Sequence, residues 1–113
     1  MSRDPRLYLD DILESCHKVG RYVQGLSKDE AMGNELIVDA VLRNLMVIGE
    51  AAKKLPAEWK EAYSEIERRK IAGLRDVVAH EHFQLDGDIL WDVVSHKLPQ
   101  LERVVARMLR ERS

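Results

Sequence analysis

The 113-residue chain has one cysteine, three prolines and six aromatic residues, and each scarcity closes off a class of structure. A lone thiol, Cys16, forms no internal disulfide and finds no second cysteine for a structural zinc site, so a reducing compartment suits it. Few prolines and a high share of charge argue against a sandwich of short strands. No stretch approaches the roughly 18 apolar residues of a spanning helix, and Met1 to Pro5 opens without the apolar run of an export signal. A cytoplasmic protein with no membrane contact is expected. Excess positive charge is missing too: the net charge is −2, so any nucleic-acid site must be local rather than a property of the whole surface. Glycine-rich loops of the kind that cradle phosphates are absent, which leaves a nucleotide hydrolase without a motif.

What is present is 45% hydrophobic and 34% charged residues, the balance of long amphipathic helices. A chain of this length supports one core, so residues 1–113 are expected to form a single domain. Asp4 and Pro5 are a cap and first turn, followed by Tyr8, Ile12, Cys16, Val19, Val23 and Leu26 at helical spacing. Gly25 and Ser27 to Asp29 read as a reversing break, with Ser27 or Asp29 capping the next helix. From Leu36, the residues Ile37, Ala40, Val41, Leu45, Ile48, Ala51, Ala52 and Leu55 keep one face until Pro56. Gly49 inside this helix, at a cost of about 1 kcal/mol relative to alanine, points to close packing. After Pro56 the pattern fits a short helix or an irregular linker.

Ile71, Leu74, Val77 and Val78 mark a third long helix, from about residue 66 to about 82, closed by Phe83 to Gly87. Asp86 or Asp88 then caps a last helix with Ile89, Leu90, Val93, Val94, Leu98, Leu101, Val104, Val105, Met108 and Leu109 inward. Pro99 should kink it rather than divide it. The expected fold is all-α, an antiparallel bundle of four main helices plus the short one if it forms.

Chemistry concentrates in Gly73 to Phe83, where Arg75, Asp76, His80 and His82 crowd one end of the third helix. Asp76 and His80, four apart, are neighbours on a helix, so the carboxylate can orient the imidazole and raise its pKa. Arg75 and His80, five apart, stand about 140° around the axis and do not meet one substrate atom from a single straight helix. Two copies about a two-fold axis would bring each guanidinium to the other copy's imidazole.

Arg75-x4-His80 resembles the Arg-x4-6-His motif of HEPN domains, in the form found in HepT-like toxins. Arg43 to Ala52, Ile71 to Asp76, Leu85-Asp86 with Trp91, and Leu98-Pro99-x-Leu101 are similar to the same family, so the resemblance spans nearly the whole chain. It implies the HEPN fold and a homodimer that cleaves RNA, tRNA or mRNA, with no metal and no cofactor. It also implies a toxin–antitoxin pairing with a minimal nucleotidyltransferase (MNT). In such a reaction a ribose 2′-hydroxyl attacks the adjacent phosphate, leaving a 2′,3′-cyclic phosphate and a 5′-hydroxyl. His80, with an ordinary pKa near 6.5, suits the proton transfer, and Arg75 can hold phosphoryl oxygens in a bidentate grip. One position departs from the family. Many HepT-like toxins read Arg-x4-His-x-Tyr, with the tyrosine open to adenylylation by the antitoxin, and this chain has His82 there.

Other residues read as structural. Asn44 is expected as a hydrogen-bonded core amide and Glu50 as the partner of a neighbouring donor. His17 and His96 stand alone on their helices, and the C-terminal arginines 103, 107, 110 and 112 form a solvated face. Trp59, Trp91, Tyr63 and Phe83 are expected to pack rather than to stack on bases. The competing function is a non-catalytic HEPN module that binds nucleotide or RNA, or docks a nucleotidyltransferase.

Overall fold

The structure, a computed structural model, describes residues 3–61 and 87–112. All secondary structure among these residues is helical: α1 (Pro5–Val23), α2 (Lys28–Met32), α3 (Glu35–Lys53), α4 (Ala57–Glu61), α5 (Gly87–Asp92), a π-helical turn (Val93–Lys97) and α6 (Leu98–Glu111). The third long helix expected between about 66 and 82 lies outside the described residues.

Helix starts follow the sequence's polar side chains. Asp4 accepts from the Arg6 amide at 2.9 Å and Pro5 occupies the first turn, where a missing N–H costs nothing. α1 ends in a turn at Gly25, whose φ of +77° favours glycine. Ser27 and Glu30 then form a reciprocal capping box at 3.2 and 2.9 Å. The helix they open is only the five-residue α2. It stops at Gly33, where a Cβ would stand 2.8 Å from the Asp29 carbonyl oxygen, and Asn34 caps α3 by accepting from the Leu36 and Ile37 amides. The expected single break is therefore two, and the cap of the long second helix is Asn34 rather than Ser27 or Asp29. The ambiguity after Pro56 resolves as the short helix α4.

Inward faces form one core. Leu9, Ile12, Cys16 and Val19 of α1 meet Val38, Val41, Leu45, Ile48 and Ala52 of α3 and Leu90, Val93, Leu98, Leu101, Val105 and Met108 of the last helix. Fully burying a side chain such as Leu45 or Ile48 contributes about 1.5–3 kcal/mol. The centre of the α1 stripe is Leu9, with Tyr8 half-buried against the core beside it, and Ile89 is 44% exposed, which corrects the expected core position there. With apolar neighbours at 8 and 9, and again at 89 and 90, spacing alone leaves the phase open by one residue.

α3 runs antiparallel to α1, since Arg3 and Tyr8 lie beside Lys54 while Lys18 and Tyr22 lie beside Ala40. The last helix also opposes α1. Asp88 pairs with Lys28 just past the end of α1, Glu102 pairs with His17 at 2.6 Å, and the Arg112 guanidinium lies over the Trp59 ring of α4 at 4.6 Å. Asp88 is thus an ion-pair partner inside the first turn of α5 rather than its cap, and Asp86 lies outside the described residues. At the expected kink, the chain widens into the π turn just ahead of Pro99. The wider turn relieves the clash of the pyrrolidine ring with the carbonyl one turn back. It also lets consecutive residues Val93 and Val94 both face inward, at 0% and 6% exposure.

Candidate functional site

A continuous furrow follows the seam between α1 and α3. Two adjoining hollows of about 340 and 210 Å³ share Asp11, Arg43 and Val47. One wall is the outer stripe of α1, with Tyr8, Asp11, Ser15, Lys18 and Tyr22 at helical spacing; the other is Ala40, Arg43, Val47, Glu50 and Ala51 of α3. At one end the Tyr8 ring lies between two cations, the Arg3 guanidinium at 4.9 Å and the Lys54 ammonium at 5.8 Å from its centroid. Arg3 also donates to Asp11 at 2.7 Å, which raises the guanidinium pKa above its ordinary value. With no imidazole and no activated nucleophile among its described lining, the furrow is equipped to bind rather than to transfer protons.

Away from the core, α3 turns a strip to solvent. That strip takes in the furrow's own Arg43, Met46, Val47, Glu50 and Lys54 and extends to Leu36 and Asp39, all within an arc of about 100° on a helical projection, opposite the buried arc of Val41, Leu45, Ile48 and Ala52. Leu36 is 81% exposed, Met46 57% and Val47 37%, an unusual concentration of exposed aliphatic surface for one helix face. Asp39, Arg43 and Glu50 make no ion pair among the described residues.

Arg75, Asp76, His80 and His82, together with the basic run Arg68 to Lys70, lie outside the described residues. Of the other residues weighed from the sequence, Asn44 is a buried amide that donates to the Ala40 carbonyl at 2.8 Å, as expected. Glu50 is exposed on the furrow wall, and no hydrogen bond or ion pair joins its carboxylate to another of the described residues. His17 and His96 are surface side chains against Glu102 and Asp92, at 2.6 and 3.1 Å. Trp59 and Trp91 pack against the core. Arg112 departs from the solvated face of the C-terminal arginines, with its side chain only 20% exposed. Burial pushes the Cys16 thiol up to about 12, so it stays protonated and unreactive. The Arg3–Tyr8–Lys54 cluster went unnoticed in the sequence because Lys54 lies 46 residues beyond Tyr8; the Met46-Val47 pair, opposite the apolar stripe, is the signal of an exposed apolar face.

The profile of the family described as ribonuclease HepT-like matches residues 12–108. The chain belongs to the HepT-like ribonuclease family of the HEPN superfamily. Among curated relatives of the family, a protein of Caldanaerobacter subterraneus subsp. tengcongensis, named as a candidate RNase, is 35% identical over 96% of this chain and 97% of its own length. A protein of Thermococcus cleftensis, named as a candidate ribonuclease HepT, is 31% identical over 90% of this chain and 93% of its own. In Methanocaldococcus jannaschii a longer protein, named as a gamma-glutamylcyclotransferase and candidate RNase, is 32% identical over 98% of this chain and 50% of its own length. No solved structure matches the chain significantly. The family membership agrees with the helical architecture above and bears out the HEPN resemblance read from the sequence.

Proposed function

We propose that this protein is a metal-independent endoribonuclease acting as the toxin of a toxin–antitoxin pair, with a minimal nucleotidyltransferase as its antitoxin. The observation that carries the reading is the HepT-like ribonuclease match over residues 12–108, which contains Arg75-x4-His80. In the proposed reaction His80 takes the proton of a ribose 2′-hydroxyl as that oxygen bonds to the adjacent phosphorus. The bond from phosphorus to the 5′-oxygen breaks, the departing oxygen takes a proton from water, and His80 gives up the proton it took, so no proton is gained or lost overall. The products are a 2′,3′-cyclic phosphate and a 5′-hydroxyl. Arg75 holds the phosphoryl oxygens as charge builds on them, a role that a fixed cation fills without a metal. Asp76 orients His80, and His82 is placed to contact phosphate.

A homodimer completes the cleft, because the roughly 140° between Arg75 and His80 on one helix calls for a second copy. With histidine at position 82, adenylylation of a tyrosine there is impossible, so the antitoxin is proposed to neutralise the toxin by covering the cleft.

The test incubates purified protein with total tRNA and a synthetic RNA in EDTA, beside Arg75→Ala and His80→Ala, and maps the ends. Cyclic-phosphate ends that persist in EDTA, fall at least about 100-fold in both variants and vanish with a 2′-deoxy residue at the cut are the expected result. RNA or nucleotide retained without turnover would favour the non-catalytic binding module.

A further inference from the structure

The geometry points to the outer strip of α3 as the surface on which a second copy of this chain docks, antiparallel, about a two-fold axis between Met46 and Val47. This rests on the homodimer reading above and names its interface.

The charge order along the strip carries the inference. Arg43 and Glu50 lie equally far from the Met46-Val47 midpoint, about 5 Å along the axis on either side, and Asp39 and Lys54 lie about 11 Å out on either side. Each pair is opposite in sign. When a helix with this order is laid antiparallel on its own copy, Arg43 meets the second copy's Glu50 and Asp39 meets its Lys54, each contact occurring twice. An isologous interface demands this self-complementarity, because every residue must suit the residue related to it by the axis.

Apolar side chains sit where such an interface needs them. Met46 and Val47, 57% and 37% exposed, would meet their symmetry mates at the axis with charges outside them, the arrangement of an apolar centre and a polar rim. Leu36, 81% exposed, would rest on the second copy's chain just beyond Lys54. Asp39 and Arg43 are four apart on one helix, as are Glu50 and Lys54, yet neither pair forms an ion pair among the described residues. The carboxylates of Asp39 and Glu50 and the guanidinium of Arg43 face outward with no ion-pair partner among those residues, while the Lys54 ammonium, set over the Tyr8 ring, still lacks a carboxylate among them. A nucleic-acid strand fits this strip less well, since its alternating signs would set Asp39 and Glu50 against phosphate.

Charge reversal tests the axis without touching the core. Sedimentation equilibrium would be run on wild type, Arg43→Glu, Glu50→Arg and the double variant, with thermal unfolding confirming that each folds. Each single reversal sets two like-charge contacts across the axis and should weaken the dimer Kd about tenfold or more. The double variant restores opposite signs at both contacts and should recover most of the loss. Met46→Asp, placing like charges at the axis, should weaken the dimer at least as much.

A dimer indifferent to all four variants places the axis elsewhere and overturns the inference, while leaving RNA cleavage untouched. Variants that stay dimeric but lose RNA or nucleotidyltransferase binding give the strip to a different macromolecule and equally overturn it. A wild type that is monomeric at every concentration overturns both the interface and the composite cleft, yet RNA cleavage by that monomer would keep the ribonuclease reading.

Discussion

The two faces of α3 are built from one stretch of chain and answer to different demands. Inward, Val41, Leu45, Ile48 and Ala52 are at most 2% exposed and pack into the shared core against α1. Outward, charges alternate around Met46 and Val47, and nothing among the described residues covers them. A helix needs only its inner face to fold, so apolar surface left on the outer face points to association rather than to stability.

Substitutions can break this contrast. Ile48→Ala, which opens a cavity at a fully buried site, should cost about 2–5 kcal/mol in denaturant unfolding; a change under 1 kcal/mol would mean that the inner face is loosely packed. Asn34→Ala touches neither face but removes the acceptor for two amides at the start of α3, and should cost about 1 kcal/mol. Met46→Ala should alter unfolding by no more than about 0.5 kcal/mol when measured at concentrations low enough to hold the protein monomeric. A large loss there would show that the outer face is needed for folding.

The inner face can also be followed chemically. Cys16 should resist a thiol reagent at pH 8 in the native protein and react once denaturant unfolds it. Because its folded pKa is raised by burial to about 12, the neutral thiol favours the fold below the ordinary thiol range. That contribution declines as pH rises from that range towards about 12.

Most of the helical framework was legible in the sequence because caps and apolar spacing are local signals. Asp4, Pro5 and the stripe from Val41 to Ala52 needed no partner to be read. The Gly33-Asn34 break was missed because the five-residue α2 is too short for periodicity to show, and its capping box looked like the start of the longer helix. Tyr8 marked the stripe whose centre is Leu9 because neighbouring apolar residues differ only by about 100° around α1, a difference that spacing does not resolve. The candidate catalytic set rests on its motif alone, because Arg75 and His80 lie outside the described residues. Glu50 stands among apolar residues in the sequence, but the helix turns Ile48 and Ala52 to the opposite side and leaves the carboxylate exposed.

The paired ends of the described chain carry a kinetic consequence. α1 and α3 meet across a short connection held by the capping box of α2, so joining them closes a small loop. The last helix must bring Asp88 back to Lys28, sixty residues away, and loop-closure entropy grows with that separation. The α1–α3 hairpin is thus the cheaper nucleus, and the last helix docks onto it. Trimming Val19 to alanine should slow folding, whereas trimming Met108 should chiefly speed unfolding.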